Sequence, residues 1–574
     1  MKTLLKYLKP YFPRMSGGLI IKIAGTVVEL FIPYILTHIL ETVILTQKVS
    51  SIIFWGVLMV LCAAAACVFN IIANRMAASV SRDFSEKVRH DLFAKTLRLS
   101  AAQTDKFTIA SLESRITTDT YNIHHFVGMM QRMGVRAPII LIGGIIITLI
   151  MDSYLSMVMI ATMPLLFITV YLVSRNGIPL YKKVQQSVDK MIRVVREDAQ
   201  GIRVIKALSK DKYEHKRYNE VNVGLVKDEK RAGIIMGSVH PIMNLFMNMG
   251  IVAVVALSAA RVTNRLSTPE TVIAFMQYFT QISMSMMAMS RIFTMASKSI
   301  ASANRIEEIL LSEDELIEQS IEDYPQNNRG NIIEFRNVSF SYNGKKEDLS
   351  NISFIINPGE SLGIIGATGS GKSTLIKLLL RLYDVDKGEI FLNGRNVRTI
   401  NRSELYSNFG SVMQNDFLYN DTIMENIKFG RDISDDEVVE AAKIAQAHGF
   451  ISDFSDGYEH VLSQHGTNIS GGQKQRVLIS RAIAAKPRIL ILDDSSSALD
   501  YKTESALRNA LNENLTDTVL INVAQRVSAV KGCSLILVLD EGKIIGSGTH
   551  EELLQSCKEY KEISDSQMGG AIVE

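Results

Sequence analysis

Cysteine is scarce in this 574-residue chain, and the four present form no framework. Cys62, Cys67, Cys533 and Cys557 show no metal-ligand spacing, and the first two sit inside an apolar run. A disulfide-stapled secreted fold is excluded, and reduced thiols are expected. The ten histidines show no metal spacing either. Net charge is only +3, too little to argue for a nucleic-acid surface. The opening MKTLLKYLKPYFPR lacks a compact apolar core and a small-residue cleavage site, so no cleavable signal peptide is expected. It reads as an amphipathic interfacial helix over residues 1–15.

Apolar sequence is abundant, at 47% of residues, and it crowds residues 16 to 300. A membrane span needs roughly 20 mostly apolar residues. Six stretches qualify, near 16–46, 51–76, 132–151, 155–175, 236–262 and 271–297. The connections at 47–50, 152–154 and 263–270 are short, while 77–131 and 176–235 are long. The long ones hold 7 and 14 Lys or Arg, against Lys48, Arg261 and Arg265 for the short ones. The positive-inside rule makes the long segments cytoplasmic. Segments of that length are implausible as loops. VSRDFSEKVRHDLFAKTLRL and VQQSVDKMIRVVREDAQGIRVIKAL carry apolar residues at three- and four-residue spacing. They predict helices that leave the membrane and turn back near 107–112 and 204–213.

An acidic, polar stretch over 306–331 suits a linker after a membrane domain at 16–305. The remainder, 332–574, reads as a soluble α/β domain. In SLGIIGATGSGKSTLIKLLL a β-branched strand, a Gly-rich turn and a helix follow one another. Gly366, Ala367, Thr368, Gly369, Ser370, Gly371, Lys372 and Ser373 fit G-x-x-x-x-G-K-[ST], with Thr374 next. The glycines let backbone N–H groups approach a phosphate at a helix N-terminus. Lys372 would reach the β- and γ-phosphates, and Ser373 would bind Mg²⁺. ILILD, at 489–493, reads as a buried strand delivering Asp493 to that metal. NISGGQKQR upstream opens a helix with Ser470, Gly471, Gly472 and Gln473, a second phosphate-binding element. One domain does not need two such elements for one γ-phosphate; a head-to-tail pair does.

With these motifs in this order, the chain resembles a half-transporter of the ATP-binding cassette exporter family over essentially its whole length. The resemblance implies a polytopic α-helical membrane domain followed by an α/β P-loop domain that binds ATP and Mg²⁺. It implies that Tyr342 stacks on adenine and that Gln414 senses Mg²⁺. It implies that Ile469–Gln473 is the signature loop and that the Ser497–Asp500 segment, with Asp500, crosses to the opposite subunit. The cytoplasmic turns resemble coupling helices docking on grooves near Gln414.

Three departures stand out. Asp494 occupies the position where the family has a water-polarising glutamate, and a displacement of about 1 Å costs on the order of 10²-fold. Gln525 replaces the histidine that contacts the γ-phosphate, and glutamine has no cationic form. Gln464 and His465 replace a glutamate and an arginine before the signature. The pattern implies a hydrolysis-impaired site, in a chain that donates an intact signature loop to a partner with the glutamate and histidine.

For cargo, ten methionines of the last two spans (Met236, Met243, Met247, Met249, Met276, Met284, Met286, Met287, Met289, Met295) lie beside Phe246, Phe275, Tyr278 and Phe279. Thioethers suit a surface that repacks around hydrophobic small molecules, as in multidrug export. Asn244, Asn248, Gln277 and Gln281 could add polar contacts. Glu29, inside the first span, is a functional candidate for attracting cationic substrates, or a structural residue at a water-filled portal. A lipid or peptide exporter and an active homodimer are the alternatives. About 15 residues before the first span leave no room for an N-terminal protease domain. The expected place is the cell membrane, with the nucleotide-binding domain in the cytoplasm.

Overall fold

In the computed structural model, which describes residues 2–263, 268–313, 316, 318–320, 330–495 and 498–568, the chain divides into two units. One comprises 1–97 and 108–313, the other 98–107 and 314–574.

The first unit is helical: Phe12–His38, Val49–Thr96, Thr120–Met151, Ser153–Ala207, Asp211–Gly237, Val239–Thr263 and Pro269–Leu310. Helix Ser153–Ala207 has 55 residues, about 80 Å at 1.5 Å per residue, far beyond the roughly 30 Å of a bilayer core. Asp152 caps it, accepting from the N–H groups of Tyr154 and Leu155. Among the described residues, five segments are long and apolar enough to cross a membrane: Thr3–Thr46, Val49–Thr96, Ile109–Met151, Ser153–Ala207 and Asp211–Ala259. The sixth expected span, 271–297, is not among them. It lies in Pro269–Leu310, where Gln277, Gln281, Ser283 and Ser285 dilute the apolar run.

Close helix approach needs small residues. A Cβ on Gly25 would lie 2.9 Å from Phe69 Cβ, and one on Gly144 would lie 2.9 Å from Ile282 Cδ1. The core between helices is formed by Leu30, Ile140, Leu155, Met159, Phe275, Tyr278, Phe279 and Ile282. Tyr278 donates its hydroxyl to the Leu30 carbonyl at 2.6 Å.

Three sequence boundaries shift. The interfacial helix is Lys2–Leu8, and the long helix already begins at Phe12. The first cytoplasmic turn is not at 107–112: residues 98–107, including helix Ala101–Phe107, belong to the second unit, and the chain resumes at Ile109 after Thr108 at φ 62°. Phe107, expected at the head of the turn, is instead a buried anchor at its end. The second break falls at 208–210, between Ala207 and Asp211. The linker starts later than 306, because Ile306 and Ile309 are buried on the last helix; residues 321–329 lie outside the described residues.

The second unit holds two sheets. One is antiparallel, ordered β2-β1-β4-β5 (Leu349–Ile356, Ile333–Phe340, Lys387–Leu392, Arg395–Asn396). The other is ordered β10-β9-β3-β8-β7-β6 (Lys543–Gly548, Leu535–Asp540, Leu362–Gly366, Val519–Ala524, Ile489–Asp493, Phe409–Val412), with all but β10 parallel. β3 and β7 are buried at every position, which is why both read as unbroken apolar runs.

Candidate functional site

Parallel α/β sheets place ligands at the carboxyl ends of their strands. Here β3 ends in the glycine loop, β6 leads to Gln414, β7 ends in Asp493–Asp494, and β8 leads to Gln525. These ends meet around one cavity of about 290 Å³. Its walls include Thr368, Gly369, Gly371, Lys372, Ser373 and Thr374 from the loop, with Gln414, Asp493, Asp494 and Gln525 opposite.

The loop needs its glycines at two points. A Cβ on Gly366 would fall 2.1 Å from the Leu539 carbonyl oxygen. Gly371 sits at φ 101°, in the left-handed region, with Leu349 Cδ2 2.7 Å from a built Cβ. The helix Lys372–Leu379 then starts with its N–H groups directed at the cavity. Lys372 Nζ donates to the carbonyls of Gly366 and Ala367, both at 2.8 Å, so the ammonium hangs over the loop. Burial lowers its pKa, while Asp493 and Asp494 act in the opposite sense. Ser370 Oγ is buried without a hydrogen-bond partner.

Burial raises the pKa of Asp493; a hydrogen bond from Ser373 opposes this, Asp494 adds to it, and Lys372 again opposes. Ser373 and Asp493 face the same cavity, and with Gln414 they offer hydroxyl, carboxylate and amide oxygens, the ligand type of a hard cation. Asp494 takes a left-handed backbone, φ 53°, with its N–H on the Val523 carbonyl at 2.8 Å. Aspartate tolerates that conformation better than most residues. Gln525 is exposed on the cavity wall.

Tyr342 borders the loop helix rather than lining the cavity: its hydroxyl lies 3.4 Å from Thr374 Oγ1, and Lys377 Nζ lies 5.5 Å from its ring centre. Two participants escaped the sequence reading. Asp348 lines the cavity and accepts the Tyr342 N–H at 2.9 Å. Tyr383 meets the Tyr342 ring edge-on at 5.1 Å and donates to Asp105. RLYD after the loop helix and the lone acid in AAQTDKF carry no motif that would have flagged them.

Among the described residues, the signature loop and Asp500 do not line this cavity. Ser470 caps Gly471–Ile483: its Oγ accepts from the Gln473 N–H at 3.3 Å, and Gln473 Oε1 accepts from the Ser470 N–H at 2.9 Å. Gln473 is thus engaged in the cap. Asp500 caps Tyr501–Asn514, its carboxylate accepting from the Thr503 N–H at 2.9 Å and from the Thr503 hydroxyl at 2.7 Å. Ser497 lies outside the described residues. His465 is left-handed at φ 64°, and Gln464 borders an open groove with Phe417, Tyr419 and Phe429, all exposed.

In the membrane unit the methionine-aromatic group splits. Phe275, Tyr278, Phe279 and Met243 are buried packing residues, while Met249, Met276 and Met284 face outward. Glu29 is paired, with its Oε1 2.6 Å from Arg136 Nη2, so its charge is already answered within the protein.

Residues 15–286 match the family model of the ABC transporter transmembrane region, and residues 349–497 match that of the ABC transporter. Over 572 residues, 99% of each chain, the sequence is 35% identical to the uncharacterized ABC transporter ATP-binding protein YfiB of Bacillus subtilis. It is 30% identical over 585 residues, 100% of this chain and 99% of the relative, to the uncharacterized ABC transporter ATP-binding protein Rv1273c of Mycobacterium tuberculosis. The fold matches a bacterial Atm1-family ABC exporter with ATP bound at a TM-score of 0.80 and 23% identity, covering 96% of this chain and 98% of that one.

Proposed function

The chain belongs to the ABC transporters, as a multi-pass membrane ATPase that couples ATP hydrolysis to transport, and we propose that it is the hydrolysis-impaired half of a heterodimeric exporter of amphipathic compounds. One observation carries this reading. The cavity gathers the glycine loop, Gln414 and Asp493, yet has Asp494 and Gln525 in its wall, with the capped signature helix outside it.

In this reading ATP sits between this chain's glycine loop and the signature loop of a partner subunit. Lys372 and the loop N–H groups hold its phosphates, and Tyr342 stacks on its base. Ser373, Gln414 and Asp493 hold Mg²⁺, which supplies charge neutralisation on the phosphates when bound. Asp494 reaches less far toward the attacking water than a glutamate, and Gln525 offers a hydrogen bond without a cation. Ser470–Gln473 complete the partner's competent site. Pairing also fits the exposed apolar side chains Val204, Leu208 and Tyr213 at the second cytoplasmic turn and the exposed aromatic groove of Phe417, Tyr419 and Phe429. In a dimer, the partner's turn would cover such a groove. Six spans per chain, the last being 271–297, complete the pathway. ATP closes the paired nucleotide domains and opens the pathway outward, and hydrolysis at the partner's site resets it.

The test is purification of the tagged chain from its native membranes in mild detergent, with stoichiometric partners identified by mass. A second half-transporter carrying glutamate and histidine at the two positions supports the heterodimer. A lone homodimer that hydrolyses ATP refutes it.

A further inference from the structure

The membrane-spanning helices hold more cation than anion at one point. Lys22, on Phe12–His38, is 4% exposed. Its Nζ donates to Asn70 Oδ1 at 2.6 Å and to Asn74 Oδ1 at 3.1 Å, both on Val49–Thr96. Glu29 stands two turns further along the first helix, on the same face as Lys22. One of its oxygens accepts from Arg136; the other, Oε2, is buried with no hydrogen-bond partner. Arg132 lies one turn before Arg136 on Thr120–Met151. Its Nε is held by the Gly128 carbonyl at 3.0 Å, and neither it nor Lys22 pairs with a carboxylate among the described residues. The charged groups acting on Lys22 are Arg136, Glu29 and Arg132.

Three cations on two helices therefore share one carboxylate. The asparagine oxygens solvate Lys22 but cancel none of its charge. Unbalanced charge in apolar surroundings is costly and marks ligand paths in membrane proteins. The cluster adjoins the cytoplasmic segment 77–131, at the inner ends of the spans, where a molecule leaving the inner leaflet or the cytoplasm would enter.

From this we infer that Lys22, Arg132 and Arg136 form a binding site for the acidic head group, phosphate or carboxylate, of an amphiphile, with Glu29 competing for the same cations. The inference rests on the transporter reading and names its substrate class. It reverses the expectation that Glu29 attracts cations: Arg136 already neutralises that carboxylate, and the surplus is positive.

The test uses the purified transporter, with any partner that co-purifies, in phosphatidylcholine nanodiscs. The probes are a pyrene-labelled fatty acid, a pyrene-labelled alkyl phosphate and a pyrene-labelled alkyl trimethylammonium. Both acids should bind saturably and about tenfold or more tighter than the ammonium, and K22M and R132M should each weaken them about tenfold. E29Q removes the competing carboxylate and should tighten acid binding, a gain that a merely structural cluster would not produce. Acid probes that also stimulate ATP hydrolysis are cargo; acid probes that bind without stimulation identify a resident lipid head group. Equal or tighter binding of the ammonium, or acid binding unmoved by both K22M and R132M, overturns the assignment. A preparation that contains a co-purified partner and still hydrolyses no ATP under any condition refutes the transporter reading instead, while the binding arm still decides this one.

Discussion

The hydroxyl of Tyr383 donates to Asp105 Oδ2 at 2.5 Å, joining residues 278 apart in sequence. Asp105 lies on the short helix Ala101–Phe107, which belongs with the nucleotide-binding unit although the membrane helices flank it in sequence. Tyr383 in turn meets Tyr342, and Tyr342 reaches Thr374 on the phosphate loop helix. Burial, followed by the bond to Asp105, raises the Tyr383 pKa, so the donor persists across the working pH range. A short contact chain thus runs from residues 98–107 to the phosphate-loop helix.

Tyr383→Phe keeps the ring and deletes the hydrogen bond. A bond to a charged group contributes about 1.5–3 kcal/mol, and the exposed Asp105 places this one at the lower end. ATP affinity should stay within about twofold, because the ring contact survives, while substrate stimulation of hydrolysis falls severalfold. Parallel titrations of ATP and of a stimulating amphiphile check this, and unchanged stimulation would refute the coupling role.

Lys372→Met should weaken nucleotide binding by about 10- to 100-fold, since a charge-assisted contact to the phosphates is lost. The methionine fills a similar volume, so the unfolding temperature should hardly change. Titration with a fluorescent ATP analogue reads the first effect and thermal unfolding the second.

The cavity's glycine loop and Asp493 were legible because they are local: SLGIIGATGSGKS and ILILD are short motifs with a fixed backbone geometry. Asp348 and Tyr383 were not, since their roles arise only when β2, the loop helix and residues 98–107 are packed together. The membrane helices announced themselves by composition, but the first turn was misplaced. The apolar periodicity of VSRDFSEKVRHDLFAKTLRL continues weakly through Ala101–Phe107, and nothing local marks which unit that helix joins. Glu29 was visible as an acid inside an apolar run, whereas Arg136 lies 107 residues away and its pairing is a tertiary fact.

Arg305 and Asp119 give an asymmetric prediction within the membrane unit. Asp119 is fully buried and accepts from Arg305 Nε at 2.7 Å, from a second guanidinium nitrogen, and from Ser302 Oγ at 2.8 Å. The Arg305 side chain is half exposed. Arg305→Ala strands a buried carboxylate and should cost about 3–5 kcal/mol, whereas Asp119→Ala leaves an arginine that water can solvate and should cost clearly less. Thermal inactivation of both variants in detergent measures the difference, and equal losses would show that burial does not control the pair.

Asp493→Asn should raise stability while weakening Mg²⁺ binding at this chain's own site. Burial, as the leading cause, holds the folded-state pKa of Asp493 above its unfolded value. The protonated carboxyl is therefore preferred in the fold, and the ionised form destabilises it. That penalty is absent at low pH, sets in as pH rises from about 3.9 through the folded value, and is complete above it. Nucleotide-free Asp493→Asn should melt higher than the parent at pH 7.5, with the advantage vanishing in acid. A pH series of unfolding temperatures checks the sign; an advantage that grows in acid would reverse the assignment.

Asp494→Glu with Gln525→His tests the hydrolytic asymmetry directly. Both positions face the same cavity at the ends of neighbouring strands, so their effects should couple rather than add. The glutamate extends the carboxylate by one methylene, and the histidine supplies a group able to become cationic. The backbone at 494 is already set by φ 53° and by the bond from its N–H to the Val523 carbonyl, so the longer acid inherits a fixed origin. It carries a small strain for a left-handed glutamate. If displacement of the carboxylate limits the site, ATPase of the complex with its partner should rise, with the double variant exceeding either single one. The control is a partner whose own glutamate is replaced by glutamine: there the double variant should restore turnover that the native Asp494–Gln525 pair cannot sustain. Turnover that stays at background in that combination would mean the site is silenced by something other than these two side chains.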